Sequence, residues 1–222
     1  MSNITLVIPA KNESESLPKV LDELANFNVK KIIVMSKDDT KTYEAIKKYN
    51  ETVLFQSGKG FGNALIEGIN SVDTKYFCVF NADGSFDPKD LHKLEEKLEN
   101  NSDFVFSSRY LKNAGSEDDT LLTYIGNFFF TQLCNLLFGL RISDVLYTYV
   151  MGSTKKFKNL DMKCNDFSFC VELPIKAKKK NYILVDFPSY ERSRIAGIKK
   201  VNEFRDGFLI LIYIIRFLLF KK

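Results

Sequence analysis

The chain has 222 residues, of which 45% are hydrophobic and 27% are charged. This is enough apolar sequence for one substantial core, it is short for two independent domains, and it excludes a disordered chain. The net charge is only +4. We see no pattern of basic residues interleaved with exposed aromatic ones along the body, so we expect no nucleic-acid partner.

The first hundred residues alternate short β-branched runs with amphipathic segments. We predict strands over 4–9, 30–36, 52–56, 76–80 and 103–107, and helices over 15–27, 40–49, 60–71 and 88–100. Such alternation is typical of βαβ units and a mainly parallel sheet, so the predicted fold class is α/β. In such sheets we expect ligands at the carboxyl ends of the strands.

Location is indicated by the start of the chain and by its cysteines. The first strand follows Met1-Ser2-Asn3 directly, without the basic and apolar regions of a signal peptide. The four cysteines have no close CxxC pairing and are too few for a disulfide scaffold. We therefore expect free thiols and a cytoplasmic location.

A polar loop over 112–120 precedes an apolar stretch that we predict to be helical over 121–140. Twenty residues are enough to span a bilayer. Five polar residues interrupt the stretch: Thr123, Asn127, Thr131, Gln132 and Asn135. They favour a helix packed on the core or resting at a membrane surface. Another helix is predicted from about 167 to 180.

The C-terminal segment is basic and apolar. Residues 192–222 hold eight basic and two acidic residues, a charge of +6, which leaves −2 for the remainder. Residues 207–220 would form roughly 21 Å of helix, too short for a hydrocarbon core of about 30 Å. We therefore predict one domain over 1–200 and an interface helix over 201–222 that lies in the plane of an anionic membrane, apart from the nucleotide pocket. The alternative is a helix buried on the domain or in a homodimer.

An acidic turn, Asn81-Ala82-Asp83-Gly84-Ser85, follows the apolar strand 76–80. Hard oxygen ligands at a strand end suit Mg²⁺ or Mn²⁺ bridging a diphosphate, so Asp83, with Ser85, is the candidate metal site. Asp-Gly also forms ordinary turns, and taken alone the motif is weak.

Several motifs together resemble a known family. The first strand ends in Pro9-Ala10-Lys11-Asn12-Glu13, the third unit carries Gly58-Lys59-Gly60-Phe61-Gly62, and the acidic turn follows the fourth strand. In that order they resemble the family-2 glycosyltransferases of GT-A fold, above all the polyprenyl-phosphate sugar transferases similar to dolichyl-phosphate mannose synthase. Ser107–Tyr110, Asp144, Glu172 and residues 191–200 look like the later motifs.

The resemblance implies a GDP- or UDP-linked sugar donor bound across the carboxyl edge of the sheet. It places Pro9, Asn12, Glu13 and Asp38 near the base and ribose, Lys59 and Gly60 over the nucleotide, and Asn81 and Ala82 beside them. It implies transfer with inversion to a lipid phosphate at a membrane.

The catalytic groups follow from the same resemblance. Asp83 with its metal, and Arg192 or Arg194 from a mobile loop, would stabilise the departing diphosphate. Arg109 is the candidate ligand for an acceptor phosphate. A lipid phosphate needs no strong base, whereas a hydroxyl acceptor does, and Asp144 or Glu172 would be that base.

The sequence also departs from the family pattern. Asn81 replaces the first aspartate of the usual Asp-x-Asp motif, and Met35–Thr40 replaces the usual paired aspartates after the second strand. Thr123-Tyr124 stands where lipid-phosphate transferases often have arginines. A silent relative that binds nucleotide sugar or membrane, and a transferase with a hydroxyl acceptor, are the alternatives.

Overall fold

The computed structural model describes residues 3–197 and 200–220. Ile198 of the last motif, and Lys199, Lys221 and Lys222 of the membrane prediction, lie outside the described residues. The strands are β1 (Ile4–Ala10), β2 (Lys30–Met35), β3 (Thr52–Phe55), β4 (Tyr76–Val79), β5 (Phe104–Ser108), β6 (Gly115–Ser116), β7 (Val150–Ser153), β8 (Leu184–Pro188) and β9 (Tyr190–Glu191). The helices are α1 (Leu17–Leu24), α2 (Thr40–Ile46), α3 (Phe61–Asn70), α4 (Leu91–Glu99), α5 (Leu121–Phe138), α6 (Thr154–Lys158), α7 (Phe169–Lys179) and α8 (Glu203–Leu219).

Seven strands form one sheet in the order β3-β2-β1-β4-β7-β5-β8. All neighbours pair in parallel except β7, which is antiparallel to both β4 and β5. Because β5 and β4 are each antiparallel to β7, they point the same way, and the ends of β1, β2, β4 and β5 meet at one edge. The predicted α/β class with a mainly parallel sheet is confirmed.

The sheet is covered on both faces by helices, because successive strand residues point to opposite sides. In β1, Val7 packs with the core under α3, α5, α7 and α8, whereas Leu6 and Ile8 pack with the core under α1 and α4. The chain runs outward from β1 to β3 and then returns to the other side of β1 with β4. A switch point at the carboxyl edge results, and such points are where open α/β sheets bind ligands.

The long helix α5 packs on the core along one side only. Thr120 and Thr123 form a capping box at its start, and Gly139 ends it in a left-handed conformation. Among its own residues, Asn127 and Cys134 are buried. In length and composition alone α5 could cross a bilayer, with 22% of its residues buried in the protein. The predicted packing on the core is confirmed.

The C-terminal helix α8 also packs on the core, against α5. Ile210 and Ile214 are buried there, and an added Cβ at Gly207 would lie 3.6 Å from the ring of Phe130. The expectation that the tail lies apart from the pocket is wrong, because Gly207 and Ile210 line the main cavity. The division into residues 1–200 and 201–222 stays a prediction.

Candidate active site

A cavity of about 800 Å³ lies over the carboxyl ends of β1, β2, β4 and β5. The loops after these strands form its floor, and α5 and α8 form a wall. Twelve residues predicted from the sequence line it: Pro9, Asn12, Glu13, Asp38, Lys59, Gly60, Asn81, Ala82, Asp83, Ser85, Arg109 and Arg194. The strand ends thus gather most of the predicted site.

The acidic turn after β4 is held by its own side chains. One carboxylate oxygen of Asp83 accepts the Ser85 N–H at 3.0 Å, and Asn81 Nδ2 donates to Ser85 Oγ at 3.1 Å. Gly84 has a φ of 85°, and a Cβ there would collide with the side chain of Ile195, whose N–H donates to the Asp83 carbonyl at 2.7 Å. The positive φ favours glycine at residue 84, and the Ile195 hydrogen bond holds the segment containing Arg194 across the turn.

The loops after β1 and β2 are tied together. Asn12 has a φ of 55°, a conformation that asparagine tolerates, and its N–H donates to Asp39 Oδ2 at 2.6 Å. Asp39 also caps α2 through the N–H of Thr42. Asp38, next to it, stays exposed in the cavity wall.

Glu13 connects this region to the C-terminal segment. Its carboxylate accepts a hydrogen bond from Ser16 Oγ at 2.6 Å and forms an ion pair with Lys200 Nζ at 3.2 Å. The Glu13 side chain is 9% exposed, so the pair is partly shielded from water. A nucleotide that enters here meets a basic group that already has a carboxylate partner.

The glycine-rich segment needs glycine for a reason other than the predicted close approach to a nucleotide. Gly60 has a φ of 103°, and a Cβ there would collide with the Asn165 carbonyl oxygen. A Cβ at Gly62 would collide with the Cys164 carbonyl in the same way. The close backbone approach that requires glycine is therefore to residues 164–166, beside the place where a nucleotide was expected.

Arg109 is the centre of a buried polar network. Its Nε and Nη2 donate to Asp144 at 2.8 and 3.1 Å, and its Nη1 donates to Glu191 at 3.1 Å. Burial lowers its pKa, but Asp144 and Glu191 more than offset this and hold the pKa well above the ordinary value. Burial raises the pKa of Glu191. Arg109 is thus already neutralised, which argues against its predicted role as a free phosphate ligand.

The two predicted carboxylate bases lie outside the cavity lining. Asp144 is fully buried behind Arg109 and also accepts from Asn127 Nδ2 at 2.7 Å. Glu172 accepts the N–H groups of Lys163 and Cys164 at 2.8 to 3.1 Å and pairs with Lys176 at 2.7 Å. In this structure each carboxylate accepts buried hydrogen bonds, and the role of either one as a base stays a prediction.

The two predicted loop arginines have different positions. Arg192 Nη1 and Nη2 donate to Glu23 on α1 at 2.7 and 2.9 Å, and these bonds raise its pKa. It lies outside the cavity lining, and its role at the diphosphate stays a prediction. Arg194 lines the cavity, where a hydrogen-bonded ion pair with Asp118 raises its pKa.

Sequence reasoning missed part of the site. The loop 112–120 was predicted only as polar, yet Asp118 and Asp119 line the cavity. Asp119 accepts from Tyr110 Oη at 2.7 Å and from the Thr123 hydroxyl. The adjacent pair of aspartates was a signal that could have been used. The α8 wall mixes apolar residues with Glu203, Arg205 and Asp206, and sequence reasoning treated this segment only as a membrane anchor or a buried helix.

Helices α5 and α8 present apolar side chains to the outside. The exposed residues on α5 are Leu121, Leu122, Tyr124, Ile125, Phe128, Phe129, Leu136 and Leu137, and on α8 and its end Phe204, Phe208, Ile215, Leu219 and Phe220. Monomeric soluble proteins rarely expose contiguous apolar patches of this kind without a binding role. We call this set the α5/α8 surface.

The sheet order, the antiparallel β7, the acidic turn after β4 and the cavity at the switch point define a GT-A type of glycosyltransferase. Residues 5–161 match the family model described as glycosyl transferase family 2. The chain belongs to that family.

Similar proteins agree with this assignment. An uncharacterized glycosyltransferase of Mycobacterium tuberculosis is 36% identical over 107 residues, 48% of each chain, so the match spans about half of that relative. A UDP-N-acetylglucosamine–dolichyl-phosphate N-acetylglucosaminyltransferase of Methanococcus voltae is 27% identical over 83% of this chain and 84% of its own. The fold matches glucosyl-3-phosphoglycerate synthase of Mycobacterium tuberculosis, solved with Mn²⁺, UDP and glucosyl-3-phosphoglycerate, at a TM-score of 0.74 and 14% identity, over 97% of this chain and 79% of that one.

Proposed function

We propose that this protein transfers one sugar from a GDP- or UDP-linked donor to a polyprenyl phosphate, with inversion, at the cytoplasmic face of a membrane. The observation that carries the proposal is the position of the cavity. Its wall is built from α5 and α8, and the same two helices form the α5/α8 surface. A lipid resting on that surface would have its headgroup beside the cavity mouth.

On the donor side, we propose that the β1 and β2 loops receive the base and ribose. Pro9, Asn12, Glu13 and Asp38 line this end of the cavity. Lys59 is exposed and lines the cavity, which supports a role for its ammonium in binding an anionic nucleotide. The relative from Methanococcus voltae, which uses a UDP-sugar by its name, supports a nucleotide donor.

The acidic turn fits a divalent cation shared with a diphosphate. Within residues 3–197 and 200–220, no cluster of three His, Cys, Asp or Glu side chains is placed to hold a metal. Asp83 nevertheless has an oxygen that Ser85 N–H does not use, and Mg²⁺ commonly takes one or two protein oxygens with substrate phosphates and water. Asp83, with Asn81 or Ser85 beside it, would hold Mg²⁺ or Mn²⁺, which would neutralise charge developing on the diphosphate.

Arg194 is the candidate partner of the departing diphosphate. It is ion-paired with Asp118, so binding an anion there requires exchange of one negative partner for another. A guanidinium placed in advance at that position stabilises charge that develops as the sugar bond breaks.

Membrane attachment rests on the α5/α8 surface. Phe208 and Leu219 on α8 and Phe128 on α5 are more than half exposed. Burial of such side chains in an interface contributes about 1.5 to 3 kcal/mol each when it is complete. We propose an in-plane peripheral arrangement, with Arg205 and Arg216 near the headgroups. A homodimer that covers this surface is the competing arrangement.

A transferase with a hydroxyl acceptor is the second candidate. It is favoured by the neutralisation of Arg109, whose two carboxylate partners leave no charge for an acceptor phosphate. A base is then required. Asp118 and Asp119, which line the cavity, join Asp144 and Glu172 as candidates.

The deciding experiment is incubation of the purified protein with a panel of GDP- and UDP-sugars, Mg²⁺ or Mn²⁺, and either a polyprenyl phosphate or a sugar acceptor. We expect transfer to the lipid phosphate. Transfer only to the sugar would select the second candidate, and neither transfer nor donor hydrolysis would refute both.

Calorimetry separates an enzyme from a silent relative, an alternative motivated by Asn81. Asp83→Ala should abolish the metal-dependent part of nucleotide binding and all transfer, with Asp73→Ala on the far surface as control. Equal binding with and without metal would favour the silent binder.

A further inference from the structure

Two residues of the cavity wall, Asn127 and Tyr147, each have a buried side-chain oxygen without a partner in the described part of the chain. Asn127 on α5 is 3% exposed and lines the cavity, and its Oδ1 is buried without a hydrogen-bond partner among the described residues. A buried carbonyl oxygen without a donor is costly, and such atoms are rare in folded proteins. The unpaired Asn127 oxygen can therefore accept a hydrogen bond from a bound ligand.

The orientation of the Asn127 carboxamide is fixed by its neighbours. Its Nδ2 donates to Asp144 Oδ1 at 2.7 Å and to Tyr110 Oη at 3.1 Å. A flipped carboxamide would set its oxygen against the Asp144 carboxylate, which has no proton to offer while it is paired with Arg109. Both N–H groups are thus used, and only the oxygen is without a partner among the described residues.

The chemistry of that ligand group follows. A phosphate dianion offers only acceptors and would be repelled by a carbonyl oxygen and the nearby Asp144. A hydroxyl or an amide N–H can donate. We infer that Asn127 Oδ1 accepts a hydrogen bond from a hydroxyl group of a bound sugar, and so selects for that hydroxyl.

This inference rests on the proposed function and deepens it. The sugar is either that of the nucleotide donor or a sugar acceptor, and both present the same chemistry. The Asp144–Arg109 network behind Asn127 acts as the fixed support for the carboxamide. An asparagine supported in this way is a specificity-determining residue of the cavity.

The test is Asn127→Leu, a change of similar volume that removes the acceptor. Its matched control is Asn135→Leu, two turns along α5, where the amide bonds both backbone groups of Ile142. Asn127→Ser, which keeps a donor for Asp144, serves if the leucine variant does not fold. Calorimetry measures binding of the nucleoside diphosphate, the nucleotide sugar and its monodeoxy analogues.

We expect Asn127→Leu to weaken nucleotide-sugar binding about 2- to 10-fold, the effect of one hydrogen bond, and to leave the nucleoside diphosphate unchanged. Wild type should bind one monodeoxy analogue more weakly than the parent nucleotide sugar, by the same factor. The variant should bind that analogue and the parent equally well. If Asn127 Oδ1 instead binds a sugar acceptor, removal of one acceptor hydroxyl should raise KM for wild type but not for the variant. We call this dependence of the deoxy effect on Asn127 the coupling. Binding without coupling in either arm overturns the inference alone, whereas no binding of any nucleotide sugar overturns the proposed function as well.

Discussion

Asp144→Asn distinguishes a structural carboxylate from a catalytic one. Asp144 accepts four hydrogen bonds: the Arg109 N–H at 3.1 Å, Arg109 Nε at 2.8 Å and Nη2 at 3.1 Å, and Asn127 Nδ2 at 2.7 Å. Asparagine keeps the shape but retains one oxygen, so its amide group would face donors. Arg109 would keep only Glu191 as a charged partner.

The magnitude follows from burial. The Asp144 side chain is 0% exposed and that of Arg109 is 12% exposed. Breaking a buried pair by removal of one partner costs about 3 to 5 kcal/mol, because the remaining charge stays desolvated. Glu191 still neutralises Arg109, so we expect the lower end, about 3 kcal/mol. For a chain of this length that corresponds to roughly 6 to 12 °C in Tm.

Urea denaturation followed by circular dichroism measures the change. The control is Asp73→Asn, whose ion pair with Lys30 at 2.9 Å is exposed and should contribute little to stability. If Asp144 were instead a general base, transfer would fall by a factor of about 10² to 10⁴ with stability unchanged. A variant within about 0.5 kcal/mol of wild type would refute the structural reasoning.

Three further outcomes are expected. Burial raises the pKa of Asp186. The folded state then binds the proton more tightly than the unfolded state. The free energy of unfolding of wild type, relative to Asp186→Asn, should therefore fall as pH rises from about 4 through the raised pKa. A relative free energy that rises with pH in urea melts would contradict this. Phe208→Ser with Leu219→Ser should lower partition onto anionic liposomes about tenfold or more in flotation assays, whereas unchanged flotation would exclude α8 as an anchor. Arg194→Ala should weaken nucleoside diphosphate binding about tenfold and Arg192→Lys less than twofold; equal effects would undo their assignment to different positions.

The strands that carry the donor site could be predicted because they are local patterns. The predicted strands 4–9, 30–36 and 76–80 agree with β1, β2 and β4 within a residue. Periodicity within each segment, followed by polar residues, was sufficient there. The ends of parallel strands share one sheet edge, so the position of Asp83 near Asn12 followed from the pattern alone.

The other half of the sheet could not be predicted in this way. Strand β7 is four residues long, includes Gly152 and inserts antiparallel between β4 and β5. Strand β8 contains the half-buried Asp186 and ends at Pro188, which weakens its alternation. Neither segment shows a strand period by itself, and both are stabilised by partners far away in the sequence.

The ion-pair partners in the polar network could not be predicted from the sequence either. Arg109 pairs with Asp144 and Glu191, which lie 35 and 82 residues away. Sequence reasoning identified all three positions through the family resemblance, but it treated them as separate functional groups. Only their contacts show that one guanidinium neutralises two carboxylates.

The position of α8 links membrane binding to the donor site. Ile210 and Ile214 hold the helix on the core, Gly207 faces the ring of Phe130 on α5, and Phe208 and Leu219 are exposed. Deleting residues 207–222 would therefore remove the anchor, expose the core and open one wall of the cavity together. Loss of both liposome and donor binding in such a truncation would not separate the two roles. Substitutions confined to the exposed residues change the outer face alone, so they are the perturbation that tests whether the membrane is needed for transfer.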